Sequence, residues 1–86
     1  MTHDYSEEYY ALHDAGMEWD EASTMFIARF EAEAAEYLKG TRAEDVGAVI
    51  CYYDANGEEA AYFDYENMWG NVYALNPVRG YEVGLV

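Results

Sequence analysis

The balance of charged residues constrains this chain more than any other feature of its sequence. Eighteen of the 86 residues are Asp or Glu and only four are Lys or Arg, which gives a formal net charge of −14 at pH 7. Carboxylates are rarely buried unless they are paired, and four bases cannot pair with eighteen acids. The folded elements must therefore carry acidic outer faces, and the resulting self-repulsion opposes the compact state.

The hydrophobic content is nevertheless high enough for a folded core. Hydrophobic residues make up 52% of the chain, and the acids are interleaved with them, whereas a block of like charges is typical of a disordered tail. The sequence contains no repeat and no linker. It therefore predicts a single domain over residues 1–86.

The first half of the chain is predicted to be helical. Asp4 or Ser6 is expected to cap a short helix that ends just before Gly16. A longer helix is expected to have Asp20 as its N-cap and to end at Gly40. Its apolar residues recur at spacings of three and four and form one stripe, which consists of Met25, Phe26, Phe30, Ala34, Tyr37 and Leu38.

The second half is predicted to be a β-sheet. Residues 46–53 are rich in β-forming side chains, and the segment Asp54-Ala55-Asn56-Gly57 is a typical turn sequence. Residues 59–65 are expected to return as the second strand of a hairpin. Trp69-Gly70-Asn71 is interpreted as a break in the sheet.

Two further strands are expected, at residues 72–75 and, beyond Asn76-Pro77, at 81–85. The predicted fold class is α+β, with a short and a long N-terminal helix packed on a C-terminal antiparallel meander of three or four strands. The residues expected in its core are Met25, Phe26, Phe30, Leu38, Val49 and Phe63.

Several carboxylates are spaced so that they share a face of a helix or strand. On the long helix, Glu33 and Glu36 are neighbours and Glu31 lies nearby, and none has a base four residues further on. On the return strand, alternate residues point to one face at intervals of roughly 6.5–7 Å, which is similar to the charge spacing along a nucleic-acid backbone. The strand face expected to meet solvent consists of Glu58, Ala60, Tyr62, Asp64 and Glu66.

Tyrosine is also abundant, with ten residues in the chain. Tyrosine is enriched at protein interfaces because it offers a large apolar area and a hydroxyl group. We therefore expect several tyrosines to be exposed beside carboxylates. The predicted partner-binding residues are Glu31, Glu33, Glu36, Asp54, Glu58, Tyr62, Asp64, Glu66 and Trp69.

The sequence carries no catalytic or metal-binding motif. His3, expected in a frayed terminus, and His13 form no motif with Cys51, and there is no HExxH or paired CxxC pattern. The segment from Asp54 does not fit an EF-hand, because its glycine falls at position four and position twelve is Tyr65. We expect no enzyme activity, no metal and no cofactor, and we expect Cys51 to be a small buried residue.

The charge favours a basic protein partner and excludes nucleic acid and anionic membranes as direct partners. No segment approaches the roughly 18–20 apolar residues of a membrane span, and the first residues lack the features of a signal peptide. We therefore expect a soluble, cytoplasmic protein. The sequence does not fix its oligomeric state.

In length, charge, richness in Tyr, Asp and Glu, and lack of catalytic motifs, the sequence resembles the small acidic inhibitors encoded by phages and mobile elements. These are the anti-CRISPR and anti-restriction proteins that mimic DNA. The resemblance is to a class and includes no family motif. It implies an inhibitor that binds the positively charged groove of a CRISPR effector or restriction-type complex in a bacterial host and blocks DNA binding.

Two other interpretations fit the same composition. A general protein–protein interaction module, such as an antitoxin or adaptor with a basic partner, needs the same charge and tyrosines. A domain adapted to high salt is also acidic and lysine-poor, and Lys39 is the one lysine of this chain. Competition with DNA for the partner distinguishes a mimic from a general module, and unfolding at low ionic strength identifies salt adaptation.

Overall fold

The computed structural model describes residues 2–75, which form three helices and five strands. In chain order these are β1 Thr2–Asp4, α1 Ser6–Asp14, α2 Trp19–Glu33, α3 Ala35–Leu38, β2 Arg42–Asp45, β3 Val49–Tyr53, β4 Glu59–Asp64 and β5 Trp69–Val72. The strands form one antiparallel sheet in the order β1-β5-β4-β3-β2. The predicted α+β class is confirmed. The strand expected at 81–85 lies outside the described residues.

The helix α1 has nearly the predicted bounds, but the predicted cap is wrong, because Tyr5 is the N-cap and makes no side-chain cap hydrogen bond. The Asp4 carboxylate accepts hydrogen bonds from the backbone N–H of Ser6 at 3.0 Å and from its hydroxyl at 2.7 Å, just where the helix begins. Gly16 follows the helix with a φ of +108°, a conformation that costs glycine little. The prediction of Asp20 as N-cap is wrong, because α2 begins at Trp19 and Asp20 lies in its first turn.

The long helix is shorter than predicted. The α2 helix ends at Glu33, and Ala34, with φ −99° and ψ 10°, separates it from the single turn of α3. The N–H of Leu38 still bonds to the carbonyl of Ala34 at 3.0 Å, so the chain stays coiled across the break. Gly40 then turns the chain toward the sheet with a φ of +81°.

The core forms where α2 lies on the sheet. Its helical side consists of side chains spaced four residues apart and fully buried, namely Ala22, Phe26, Phe30 and Ala34. The Phe30 ring stacks on Phe63 of β4, with ring centroids 4.9 Å apart. The prediction of Phe26, Phe30 and Phe63 as core residues is confirmed.

Three of the other core predictions need correction. Met25 is 41% exposed, because a stripe with a spacing of four places it about 100° from Phe26 around the helix. Val49 is half-buried, since its strand neighbour Ile50 points to the helices instead. Leu38 is also half-buried and packs at the border of the core.

The interpretation of Trp69-Gly70-Asn71 as a break is wrong, because these residues belong to β5. Glycine at position 70 leaves room for two buried rings, because a Cβ at this position would lie 2.4 Å from Phe30 Cε1 and 2.9 Å from Phe63 Cδ1. The strand then stops at Val72, and residues 73–75, predicted as strand, form a turn.

Two edge strands were not predicted. The first, β1, pairs with β5, and the N–H of Tyr5 bonds to the carbonyl of Met68 at 2.8 Å. His3 is therefore 8% exposed, with its ring edge-on to Phe30, so the expectation of a frayed terminus is wrong. The second, β2, pairs with β3, and all four of its residues are exposed.

The hairpin of β3 and β4 is confirmed, but its first strand begins at Val49 and not at residue 46, because residues 46–48 connect β2 to β3. The N–H of Asp54 bonds to the carbonyl of Glu58 at 2.8 Å, and Gly57 adopts the positive φ that the turn requires, +80°. No helix in the described part of the chain is long and apolar enough to cross a membrane.

Candidate acidic interaction surface

Most carboxylates of the described chain are exposed and have no basic neighbour. Of the 17 acids in residues 2–75, 13 are exposed. The ion pairs in this range join Arg29 to Glu8 and Glu33, and Arg42 to Glu44. The exposed acids that no described base neutralises are Asp4, Glu7, Asp14, Glu18, Asp20, Glu21, Glu36, Asp45, Glu58 and Glu66.

Two of the three predicted helix carboxylates accept hydrogen bonds from tyrosine hydroxyls of other elements. The Tyr52 hydroxyl donates a hydrogen bond to Glu31 at 2.6 Å, and the Tyr5 hydroxyl donates one to Glu33. Burial, reinforced by the adjacent carboxylate, raises the pKa of both tyrosines, so each remains a donor at neutral pH. These bonds attach α2 to β3 on one side and to the start of α1 on the other.

Glu36 is the remaining member of that set and lies on α3. Its side chain is exposed and no described base pairs with it. Glu36 follows the break at Ala34, whereas Glu31 and Glu33 precede it. The three predicted carboxylates are therefore divided between two helices.

The turn between β3 and β4 contains two more predicted residues. The Asp54 carboxylate accepts hydrogen bonds from the N–H groups of Asn56 at 2.9 Å and Glu58 at 3.0 Å. Such bonds are the usual way in which Asp stabilises a turn. Asp54 is half-buried, whereas the Glu58 side chain is exposed.

The expected exposure of Asp64 is wrong, since its side chain is only 2% exposed. Its carboxylate accepts hydrogen bonds at 3.0 Å from the N–H groups of Glu66 and Asn67, and one at 2.8 Å from the Asn67 amide. It thus stabilises the tight turn from β4 into β5. Glu66, on that turn, is exposed.

The expected exposure of Tyr62 is also wrong. Tyr62 is 6% exposed and lies on the face of the sheet away from the helices. The centroid of its ring is 5.6 Å from that of Trp69 and 6.1 Å from that of Tyr73. Burial raises the pKa of its hydroxyl to about 12. Trp69 is half-buried against it, so these rings pack within the protein.

The exposed members of the predicted set do not form one patch. Glu58 and Glu66 flank opposite ends of β4, a strand of six residues that spans about 20 Å. Glu36 lies on α3, outside the sheet. Glu33 is also exposed and pairs with Arg29. A partner-binding role stays a prediction for all nine predicted residues.

A denser group of acids lies on the antiparallel pair of α1 and α2. Glu7, Tyr10 and Asp14 are exposed at spacings of three and four and so share one face of α1. The start of α2 presents the exposed segment Glu18-Trp19-Asp20-Glu21. The two helices form a helical hairpin, which is distinct from the β3–β4 hairpin. We define the hairpin surface as these residues of the helical hairpin: Glu7, Tyr10, Asp14, Glu18, Trp19, Asp20 and Glu21.

Two aromatic rings join the two helices within the hairpin surface. Tyr10 is 55% exposed and Trp19 is 41% exposed, and their ring centroids are 6.0 Å apart. The Trp19 ring stacks on the His13 ring, with centroids 3.4 Å apart. The centroid of the Tyr9 ring is 5.1 Å from that of Trp19. These contacts fix the orientation of the indole, so the surface presents it without a large ordering cost.

The nearby base does not neutralise the hairpin surface. Arg29 bonds to Glu8 at 2.5 Å and lies over the Tyr5 ring at 4.9 Å, on another side of α1. The five acids of the hairpin surface thus face solvent with no described base beside them. The sequence signal for this surface was the spacing of Glu7, Tyr10 and Asp14.

The described residues offer no candidate site for a metal ion. No group of three or more His, Cys, Asp or Glu side chains in residues 2–75 is arranged to hold a metal ion. Cys51 is buried, as expected, and burial raises the pKa of its thiol, which lowers its reactivity. Comparison of the chain with protein-family models, curated proteins and solved structures found no match.

Proposed function

We propose that this protein is an acidic inhibitor that binds the positively charged groove of a nucleic-acid-binding protein and keeps nucleic acid out. The complex would be a CRISPR effector or a restriction-type enzyme, as the resemblance in composition implies. The observation that carries the proposal is the set of ten exposed carboxylates without a described base. A groove that binds phosphates offers Arg and Lys side chains that form equally strong hydrogen bonds with carboxylates.

The hairpin surface is the part of the molecule best suited to this contact. Its acids lie on two packed helices and its rings are held by neighbouring rings, so the charges are presented in a fixed arrangement. Tyr10 and Trp19 add the apolar area and the polar groups that interface hot spots commonly use. Glu36, Glu58 and Glu66 form a more dispersed alternative.

The test is a mobility-shift assay with purified RNA-guided DNA-binding complexes and restriction endonucleases, each with its labelled target duplex. We expect the protein to prevent the DNA shift of at least one complex, and we expect inhibition to weaken at higher salt because charge contacts are screened. Unimpaired DNA binding by every complex at both low and physiological salt would contradict the proposal.

Charge reversal then locates the interface. Replacing Glu7, Asp14 and Glu21 with lysine changes the net charge from −14 to −8, since each replacement adds two charges. We expect inhibition to fall about tenfold or more, because like charges would oppose the basic groove. The three side chains are exposed and form no ion pair with a described residue, so the protein should remain folded by circular dichroism.

The matched control carries lysine at positions 36, 58 and 66 in place of Glu36, Glu58 and Glu66. It has the same net charge and also alters only exposed side chains. Retained inhibition by this control and loss in the first variant would assign the interface to the hairpin surface. Equal loss in both would show that the overall charge, and not this surface, determines binding.

A general protein–protein module is the second candidate function. The exposed Tyr10 and Trp19 favour it, because a surrogate for phosphates alone does not need aromatic rings. A basic partner that binds the protein but does not compete with DNA would identify this function. In that case the Trp19→Ala variant should weaken binding more than the lysine variants do.

A further inference from the structure

The exposed edge of the sheet at β2 has a charge pattern that is complementary to itself. The strand consists of Arg42-Ala43-Glu44-Asp45 and lies at the end of the sheet, with β3 as its neighbour. All four side chains are exposed. We propose that this edge pairs with β2 of a second copy of the chain, so that two sheets join into one across a twofold axis. This inference is independent of the proposed function.

The hydrogen-bond pattern shows which backbone groups point to the free edge. The N–H of Val46 bonds to the carbonyl of Val49 at 2.9 Å, toward β3. In antiparallel strands hydrogen-bonded and non-bonded pairs alternate, so Glu44 and Arg42 also bond to β3. The N–H and C=O groups of Ala43 and Asp45 therefore point outward, and no other described strand pairs with them.

These outward groups restrict the register of a second strand. Two antiparallel copies can bond only if the outward residues of one lie opposite outward residues of the other. Ala43 then lies opposite the second Ala43 or opposite Asp45, or else Asp45 lies opposite the second Asp45. The last register is disfavoured because it places two carboxylates directly opposite each other. The same rule keeps the side chains of each opposing pair on one face of the joined sheet.

Charge also selects between the two registers that involve Ala43. With Ala43 opposite Ala43, Arg42 of each copy lies opposite Glu44 of the other, in a non-bonded pair where side chains approach closely. With Ala43 opposite Asp45, the two Glu44 side chains would lie directly opposite each other, which is destabilising. The Ala43-centred register is therefore the one that the sequence of β2 favours.

The surroundings of β2 also suit this arrangement. An open groove of about 330 Å³ lies beside the strand, lined by Glu31, Ala35, Leu38, Thr41, Ala43 and Tyr52. Because Ala43 forms part of its wall, a second copy paired at Ala43 would lie beside the groove. Ala43 is also small enough for two copies to approach at the axis.

The first measurement is sedimentation equilibrium of the purified protein in low and in moderate salt. We expect dimers, and we expect more of them in moderate salt, because the two chains carry −14 each and their repulsion is screened. A monomer at all concentrations and in both salts would overturn the proposal. No partner protein is needed, so this result does not depend on the inhibitor assay.

Mixing of two variants tests the register. In a homodimer, Arg42→Glu alone places two carboxylates opposite each other, and Glu44→Arg alone places two guanidinium groups opposite each other, so each variant is expected to be monomeric. A one-to-one mixture restores opposite charges at both pairs, and we expect heterodimers. A mixture that stays monomeric, or single variants that dimerise like the original protein, would overturn the register.

Ala43→Pro tests the backbone contact without a change of charge. The N–H of Ala43 points away from β3, so proline at this edge position removes no bond within the fold. In a symmetric dimer the substitution removes the intermolecular hydrogen bond of the Ala43 N–H from both copies. We therefore expect dimer affinity to fall about tenfold or more. An unchanged affinity in this variant would also overturn the proposal.

Discussion

Replacing Gly70 with alanine adds only one methyl group, yet we expect it to destabilise the protein strongly. A Cβ at this position would lie 2.4 Å and 2.6 Å from two atoms of the Phe30 ring and 2.9 Å from Phe63 Cδ1, whereas ordinary contacts begin near 3.4 Å. Both phenylalanines are fully buried and stacked on each other, so neither ring has free space to move into.

The magnitude follows from the cost of overpacking a core, which is typically about 1–3 kcal/mol. Three contacts below 3.0 Å at one atom place Gly70→Ala at the upper end of that range. For a domain of this size a loss of about 3 kcal/mol lowers the Tm by roughly 12–24 °C. The total stability is expected to be only about 4–13 kcal/mol.

Urea unfolding followed by circular dichroism measures this loss directly. The control is Gly57→Ala, where a Cβ meets no atom within 4 Å but φ is +80°. That variant should lose only the left-handed backbone cost of about 1–2 kcal/mol. A Gly70→Ala variant as stable as the unmodified protein would refute the packing argument.

Two further predictions concern buried polar groups. Burial lowers the pKa of His3, so the unfolded state binds its proton more readily; stability is therefore expected to fall as the pH drops below about 6.5. A His3→Asn variant should show a smaller loss between about pH 7.5 and 5.5 in urea titrations, and an identical loss would count against this assignment. Asp64→Ala should cost about 3 kcal/mol, because it leaves the N–H groups of Glu66 and Asn67 without their acceptor. Urea titration also measures the free energy of unfolding of Asp64→Ala, and a loss below about 0.5 kcal/mol would contradict the role of Asp64 in the turn.

Local sequence signals predicted the elements that short-range chemistry determines. The Asp54 to Gly57 turn forms because its polar and glycine residues satisfy the turn without help from distant parts of the chain. The stripe through Phe26 and Phe30 was visible because helical spacing alone aligns these residues. Both features are present in the structure.

Elements that depend on distant partners were not predicted. Nothing in the residues of β2 favours a strand, and it forms because β3 offers it an edge. Gly70 was interpreted as a break because its reason, the space taken by Phe30, lies far away in the chain. Propensity cannot report such tertiary effects.

The sequence predicted acidic outer faces but not the position of each acidic side chain. Acids were expected on outer faces, and most are there, yet Asp64 turns inward to accept backbone hydrogen bonds. Alternation along β4 could not show that the face away from the helices buries Tyr62. The acids of α1 were visible in the sequence but gain meaning only beside Trp19, which the fold brings to Tyr10.

The pairing of β1 with β5 has a consequence for the synthesis of the protein. Thr2 pairs with Asn71 and Asp4 with Trp69, so the first described strand to leave the ribosome pairs with the last described one. At a synthesis rate of about 5–20 residues per second, β5 is made several seconds after β1. During that time the Phe30 ring, which packs against both Gly70 and His3, has no completed sheet to cover it. The high negative charge of the nascent chain then keeps neighbouring chains apart until the sheet closes.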